Sequence, residues 1–418
     1  MNQKIKLQIM KTKLLSLRWL IMLMLSVSAL GAIAQPYPNQ GAQTVCISGV
    51  AEPYGVINTV GSTYAWKVDG ATTSLNWVLT STTSNLATVL WMTAGTYTVQ
   101  VLETNATGCA NPLPVEVVVT VNPLPTAIIA GTTTVCRNGT APNITFTGAN
   151  GTAPYTFTYT INAGSNLTVT TSSGNSVTVA APTTTSGTFT YTLVSVADAS
   201  ATACSQTQAG SAVVTVNPLP TAIIAGTTAV CKNGTAPDVT FTGANGTAPY
   251  TFTYTINGGL NQTITTTSGN SVTVAAPTTA SGTFTYALVS VADASATACS
   301  QTQTGSAVVT VNPLPTATIA GTTAVCKNDI APNLTFTGAN GTAPYTFTYK
   351  INGGSDLIVT TTSGNSVTVA APTSVTGTFT YVLVSVTDAS TTTCSQTQTG
   401  SAVITVNTLP ITSPIYHN

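Results

Sequence analysis

The feature that most constrains this chain is a repeat with a period of 95 residues. The string Val-Asn-Pro-Leu-Pro-Thr-Ala begins at Val121, Val216 and Val311, and a degenerate copy that lacks the first proline begins at Val406. Solenoid repeats span about 20–45 residues and complete their core with neighbouring repeats. A period of 95 residues is long enough for a domain that has a core of its own. The sequence therefore predicts a series of similar, self-contained domains.

Large apolar residues alternate with threonine inside each unit. In residues 155–161 of the first copy, three aromatic residues and Ile161 occupy alternate positions, so they share one face of a strand. Similar segments separated by Gly, Asn and Pro turn signals give about seven strands per unit. Because each strand has one apolar face and one threonine face, two sheets must pack face to face. The predicted fold is an all-β chain of immunoglobulin-like β-sandwiches.

The Asn-Pro-Leu-Pro segments are short and fairly stiff, since proline fixes φ and restricts the preceding residue. We therefore expect tandem domains that form an elongated rod. The predicted boundaries are a signal peptide (1–34), a divergent first domain (35–121), three repeats (126–216, 221–311 and 316–406) and a C-terminal tail (407–418).

The N-terminal segment has the pattern of a cleavable export signal. Five basic residues precede an apolar run, Trp19 to Ala34, which ends in small residues at alternate positions. The run is shorter than the roughly 20 residues that span a bilayer. We predict export through a Sec-type signal, cleavage after Ala34, no transmembrane span in the mature chain, and an extracellular or cell-surface location.

Charged residues are scarce in this chain, and their scarcity excludes nucleic acid as a partner. Charged residues are 5% of the sequence, and without the leader five basic residues stand against ten acidic ones. Nucleic-acid binding needs a concentrated basic surface, which these residues cannot build. We expect the partner to be an unidentified cell-surface or extracellular protein or polysaccharide, and self-association is a further expectation because neutral strand edges can pair laterally.

Eight cysteines are distributed two to a predicted domain. An even count in an exported chain favours disulfides over metal ligation, which needs clustered cysteine and histidine. We expect one disulfide inside each domain. The predicted pairs are Cys46–Cys109, Cys136–Cys204, Cys231–Cys299 and Cys326–Cys394.

The first domain resembles the PKD-type immunoglobulin-like family. The segments that carry the resemblance are Ser62–Val68, with its Tyr-Ala-Trp core, and Ala94–Val101, which is followed by Gly108-Cys109. The three repeats resemble bacterial immunoglobulin-like modules of large surface adhesins, notably those of gliding bacteria with type IX secretion. This resemblance implies a structural or adhesive surface role.

Two departures qualify that resemblance. The repeats lack tryptophan, and their second cysteine follows the strand Gly187 to Val196, so the inter-sheet bridge of antibody domains is not expected. Type IX cargo usually carries a C-terminal sorting domain, whereas this sequence ends in a short apolar tail. The tail residues Ile415, Tyr416, His417 and Asn418 are candidate recognition residues for strand addition by a partner; the alternative is a remnant of a further repeat.

No constellation for catalysis is found in the sequence. His417 is the only histidine, and the only acid repeated in all three units is the series Asp198, Asp293 and Asp388. Paired-carboxylate chemistry needs two neighbouring acids, and calcium needs several oxygen ligands. We interpret these aspartates as turn residues that accept backbone N–H bonds, and we predict no enzyme activity, no metal and no cofactor.

The sequence thus predicts a non-enzymatic surface protein that acts as a multivalent spacer rod. A second hypothesis is an array of carbohydrate-binding modules, in which the aromatics Tyr155, Phe157 and Tyr159 would stack on sugars. Their alternation with threonine predicts instead that they are core residues. A third hypothesis is an accessory component of a secretion or gliding apparatus.

Overall fold

A computed structural model describes residues 41–80, 83–415 and 417. Every regular element in these residues is a β-strand, and none of them belongs to a helix that could span a membrane. The chain divides into two compact units. Unit 1 comprises Met1–Thr133, Thr140–Pro182 and Thr188–Thr215; unit 2 comprises Thr134–Gly139, Thr183–Gly187 and Val216–Asn418. The predicted signal peptide lies outside the described residues and stays a prediction.

Seven strands form the first sandwich, in two sheets of order β1-β7-β6-β3 and β2-β5-β4. Their bounds are β1 (Gln43–Cys46), β2 (Glu52–Gly55), β3 (Thr63–Val68), β4 (Trp77–Thr80), β5 (Leu86–Trp91), β6 (Gly95–Thr104) and β7 (Val115–Asn122).

Nine strands form each repeat. In repeat 1 they are β8 (Thr126–Ala130), β9 (Thr133–Cys136), β10 (Asn143–Ala149), β11 (Thr156–Ile161), β12 (Leu167–Thr170), β13 (Ser176–Ala180), β14 (Gly187–Ala197), β15 (Ser205–Thr207) and β16 (Ser211–Asn217). In repeat 2 they are β17 (Thr221–Ala225), β18 (Thr228–Cys231), β19 (Asp238–Ala244), β20 (Thr251–Ile256), β21 (Gln262–Thr265), β22 (Ser271–Ala275), β23 (Gly282–Ala292), β24 (Ser300–Thr302) and β25 (Ser306–Asn312). In repeat 3 they are β26 (Thr316–Ala320), β27 (Thr323–Cys326), β28 (Asn333–Ala339), β29 (Thr346–Ile351), β30 (Leu357–Thr360), β31 (Ser366–Ala370), β32 (Gly377–Thr387), β33 (Ser395–Thr397) and β34 (Ser401–Asn407).

Each repeat pairs a three-stranded sheet with a six-stranded one. In repeat 2 the orders are β17-β19-β22 and β18-β25-β23-β20-β21, with β24 paired to β23, and the other repeats follow the same plan. The sequence predicted about seven strands, and the two it missed correspond to β18 and β24. Both are short, with three or four residues, so they show too few alternations to give a periodic signal.

The aromatic residues of each repeat form its core. In repeat 2, Tyr250, Phe252 and Tyr254 are 2%, 0% and 5% exposed, and Phe241 packs against Phe252 with ring centroids 5.7 Å apart. The prediction that the alternating aromatics are core residues is confirmed. Threonines of the opposite face bond across strands instead, as between Thr251 and Thr265 (2.9 Å).

The first sandwich has its own tryptophan core. Trp66, Trp77 and Trp91 are at most 4% exposed, and the other buried residues of the cluster are valines, tyrosines and Ala87. The Trp91 indole N–H donates to Tyr54 Oη (3.3 Å). Burial raises the pKa of Tyr54 to about 12, although the Trp91 hydrogen bond opposes this shift. The chain is therefore all-β, with repeated immunoglobulin-like β-sandwiches.

Candidate functional site: the disulfide joints

The second cysteine of a repeat lies in a tight loop after its longest strand. In repeat 2 this strand is β23, and the loop that follows is closed by the Asp293 N–H, which donates to the Cys299 carbonyl (2.9 Å). The Asp293 carboxylate accepts from the Thr247 N–H (3.0 Å) and from the Ser295 hydroxyl (2.7 Å). These contacts support our interpretation of the aspartate series as turn residues that organise a loop.

The first cysteine lies at the opposite end of the same sandwich. Strand β18 runs parallel to β25, with Cys231 opposite Asn312, the last residue of β25. Strand β23 is antiparallel to β25 and starts at this end, because Gly282 lies opposite Val311. It then runs ten residues away from Cys231 before the loop of Cys299 begins, which at about 3.3 Å per residue is a distance of about 33 Å.

This separation makes the predicted intradomain disulfides impossible, because bridged cysteines have Cα atoms within about 7 Å. The prediction of the pairs Cys46–Cys109, Cys136–Cys204, Cys231–Cys299 and Cys326–Cys394 is wrong. The structure forms Cys46–Cys204, Cys136–Cys299 and Cys231–Cys394 instead. Each bond joins the first cysteine of one sandwich to the second cysteine of the next, and each lies within a single compact unit.

A threonine two residues before the second cysteine completes each joint. Thr392 Oγ1 lies 3.3 Å from Cys231 Sγ and 3.1 Å from Cys394 Sγ, so the hydroxyl touches both sulfurs of the bond. It also accepts a hydrogen bond from the Asn312 side-chain amide (2.8 Å). The joint therefore combines one covalent bond with polar contacts from the end of the preceding sandwich.

The other two joints repeat this arrangement. Thr297 Oγ1 lies 3.4 Å from Cys136 Sγ and accepts from Asn217 Nδ2 (3.1 Å). Thr202 Oγ1 lies 3.2 Å from Cys46 Sγ and 3.4 Å from Asn122 Nδ2. Our sequence reasoning missed these threonines and asparagines. The signal for them was present, because Thr-x-Cys and Val-Asn recur at the repeat period.

A cleft of about 590 Å³ adjoins the joint between repeats 1 and 2. It is lined by polar and linker residues, namely Arg137, Asn138, Ser186, Pro218, Leu219, Thr221, Asn245 and Gln301. The Arg137 side chain is fixed here by a hydrogen bond from Nε to the Thr184 carbonyl (2.9 Å). The cleft has no carboxylate, histidine or free thiol, so its lining offers no catalytic group.

The remaining candidate residues that the structure describes are not grouped into a site. The aromatics Tyr155, Phe157 and Tyr159 are buried and cannot stack on a sugar without unfolding. Among the described residues no group of His, Cys, Asp and Glu is arranged to hold a metal ion. In the tail, Ile415 is fully exposed and His417 is also exposed, whereas Tyr416 and Asn418 lie outside the described residues.

Comparison with known proteins gives structural neighbours only. No family model and no curated protein matches the chain. Among solved structures, a Ca²⁺-stabilised adhesin from an Antarctic bacterium that binds ice shares 18% identity over 87% of this chain and 96% of its own, with a TM-score of 0.35. Extracellular domains of protocadherin γB7 share 14% identity over 88% and 100% (TM-score 0.36), and a tetra-tandem repeat from the extending region of a large adhesion protein shares 17% over 88% and 100% (TM-score 0.29). Because these identities and TM-scores are low, the fold assignment is based on the sheet topology of this chain alone.

Proposed function

We propose that this protein is a non-enzymatic extracellular or cell-surface repeat protein that acts as a multivalent spacer rod with a structural or adhesive role. The observation that carries the proposal is the set of disulfides that join successive sandwiches. A bond inside a domain stabilises that domain alone, whereas a bond across a linker also restricts the hinge between two domains. A restricted hinge suits a spacer, which must keep its two ends a fixed distance apart. Disulfides also persist in oxidising compartments, which supports an exported location.

The proposal includes the domain boundaries of the sequence analysis: 35–121, 126–216, 221–311 and 316–406. Four sandwiches in a row give a rod on the order of 130 Å, at about 30–35 Å for each compact domain of this size. Small-angle scattering of the oxidised chain, compared with the reduced chain, tests it. We expect the maximum dimension of the oxidised chain to lie near this value and the reduced chain to show a broader distribution of distances. A compact oxidised particle contradicts the rod.

The adhesive role is tested by the location of the protein on cells. We propose that the PKD-like first domain and the repeats reach the surface after signal cleavage, by the type IX route that their resemblance implies. Protease shaving and fractionation compare the full chain with a chain that lacks residues 408–418. If only the full chain stays on the surface, the tail is the attachment or sorting segment. If both stay, the sandwiches themselves attach, and the neutral threonine face becomes the candidate contact with a protein or polysaccharide.

A further inference from the structure

Each joint has two halves, and one copy of each half is unused in the described chain. We call the first half the seat: the cysteine at the end of the edge strand and the asparagine opposite it, as in Cys231 and Asn312. We call the second half the plug: the Thr-x-Cys turn, as in Thr392 to Cys394. Cys326 and Cys109 are unpaired and exposed. Cys326 belongs to a seat, and Cys109 belongs to a plug.

The seat of repeat 3 has the same backbone as the seat that is used in repeat 2. Strand β27 runs parallel to β34 and sets Cys326 opposite Asn407. The Lys327 N–H donates to the Asn407 carbonyl (2.9 Å), as the equivalent Lys232 N–H donates to the Asn312 carbonyl (2.8 Å). The repeat 3 seat is therefore formed without a bound plug.

The surface around this seat is uncovered. Asn407 is exposed, whereas its counterparts Asn217 and Asn312 are half-buried. Leu409, two residues further along, is 53% exposed, whereas the equivalent Leu314 is half-buried. The residues that the next sandwich covers in repeats 1 and 2 are thus open to solvent in repeat 3.

The first sandwich presents a plug of the same construction. Its turn is Thr107-Gly108-Cys109, in which Thr107 Oγ1 lies 3.7 Å from Cys109 Sγ. The middle residue has a left-handed backbone, with φ of 86° for Gly108 and 47° for the equivalent Ala298. The Asn105 N–H donates to the Cys109 carbonyl (3.0 Å) and closes the loop, as Asp293 does in repeat 2.

Exposed apolar residues flank both unused halves. Ile330, four residues after Cys326, is 94% exposed and stands where repeats 1 and 2 have threonine. Beside the plug, Val60 and Leu113 are 93% and 73% exposed. Val60 precedes Gly61, which lies against Ala106 of the plug loop. Thr140 and Thr235, the equivalents of Ile330, stay exposed where the joint is formed, so Ile330 lies beside the contact and adds no area to the joint itself.

We propose that Cys326 of one copy and Cys109 of a second copy form this joint, so that copies of the chain link head to tail through disulfides. The occupant of the repeat 3 seat is thus a second copy of this chain, which carries the matching plug. The reaction takes the two thiol protons and two electrons, and a small-molecule disulfide such as oxidised glutathione accepts them and becomes two thiols. The proposal does not depend on the adhesive role.

A joint of this kind is heterologous, because two different surfaces meet. Repetition of a heterologous contact extends into a linear assembly unless the rotation between copies closes a ring. The expected product is therefore a ladder of covalent multimers. Accidental oxidation of exposed thiols would instead give symmetrical Cys109–Cys109 and Cys326–Cys326 dimers as readily as the mixed pair.

The test uses the exported chain, treated with oxidised glutathione and followed by non-reducing electrophoresis and peptide mapping. Cys109→Ser and Cys326→Ser are prepared, and their three native disulfides are checked in the same peptide map. Each variant alone permits only a symmetrical dimer, whereas their mixture also permits one Cys109–Cys326 bond. We expect the mixture to form dimers at least about tenfold faster than either variant alone, and we expect the wild type to give a ladder.

Thr107→Val keeps Cys109 and tests docking through the plug, because in the proposed joint the Thr107 hydroxyl would contact Asn407 as Thr392 contacts Asn312. Within the first sandwich this hydroxyl donates to Asn105 Oδ1 (2.7 Å). We expect the substitution to slow the mixed dimer about tenfold while the rate of Cys109 alkylation stays unchanged. Equal rates for the mixed and symmetrical dimers overturn the proposal, and so does the persistence of both free thiols in the oxidised wild type. An unchanged rate for Thr107→Val would also count against docking through the plug.

Discussion

Removal of one disulfide tests the pairing between sandwiches. The substitution Cys231→Ser breaks the bond to Cys394, which lies in repeat 3. The bond holds repeat 3 to repeat 2 at a second point, in addition to the linker that ends at Thr316. When repeat 3 unfolds while repeat 2 stays folded, the segment from Thr316 to Cys394 is therefore a closed loop in the native protein and a free chain in the variant.

The size of the effect follows from the length of that loop. In the chain-entropy model, closing a loop of roughly 80 residues contributes about 4 kcal/mol at 25 °C. Since about 1.4 kcal/mol is a factor of ten, local unfolding of repeat 3 becomes about a thousandfold more frequent in Cys231→Ser. We expect this loss in strands such as β29 and β32, whose residues Phe347 and Val386 are fully buried.

Hydrogen exchange followed by mass spectrometry measures this effect repeat by repeat in the whole chain. The matched control is Cys326→Ser, which removes an unpaired cysteine of repeat 3 and should leave the protection of β29 and β32 unchanged. If disulfides lay inside each domain, the two results would be exchanged: Cys326→Ser would expose repeat 3, and Cys231→Ser would affect repeat 2 alone. That outcome would refute the argument from strand direction.

Three further predictions concern single residues of the sandwiches. Gly243→Ala should destabilise repeat 2 by about 1–3 kcal/mol, because its Cβ would lie 2.5 Å from the ring of Tyr250; thermal unfolding measures the loss. Asp293→Ala should destabilise the same repeat by about 1–3 kcal/mol, since it removes a buried carboxylate that accepts part-buried hydrogen bonds from the Thr247 N–H and the Ser295 hydroxyl, whereas the exposed Asp238→Ala should not. The pKa of Tyr54 rises from 10.0 to about 12 on folding, so its contribution to stability is present below pH 10 and is lost as pH rises to about 12; spectroscopic titration against Tyr54→Phe measures it.

For each of these predictions, one outcome would contradict the reasoning. Gly41→Ala is the control for the steric argument, because no atom lies within 4 Å of its Cβ position. Equal stability of the two glycine variants would show that Tyr250 moves at no cost. If Asp293→Ala and Asp238→Ala unfold together, the loop contacts contribute nothing measurable. If the wild type already shows one full tyrosinate more than Tyr54→Phe well below pH 12, Tyr54 is not held protonated by burial.

The fold was accessible from the sequence because its signals are local. The alternation of Tyr155, Phe157 and Tyr159 with threonine specifies strand and face together, and the burial of these residues removes the sugar-stacking hypothesis that the same pattern had left open. The role of Asp198 and its equivalents was accessible too, since an aspartate between a strand and a serine is a typical turn residue. The short strands β9 and β15 were not, because they carry too few residues for a period to be read.

The disulfide pairing could be settled only by the tertiary structure. The sequence determined that each sandwich has two cysteines, and this even count favoured a bond within each one. Whether they can meet depends on the ends of the sandwich to which β18 and β23 carry Cys231 and Cys299. The position of Cys231 is set by the parallel pairing of β18 with β25, and β18 has only four residues, too few to show a periodic pattern in the sequence. Strand direction is a long-range property, so the joints, their threonines and the two free halves became visible only in the folded chain.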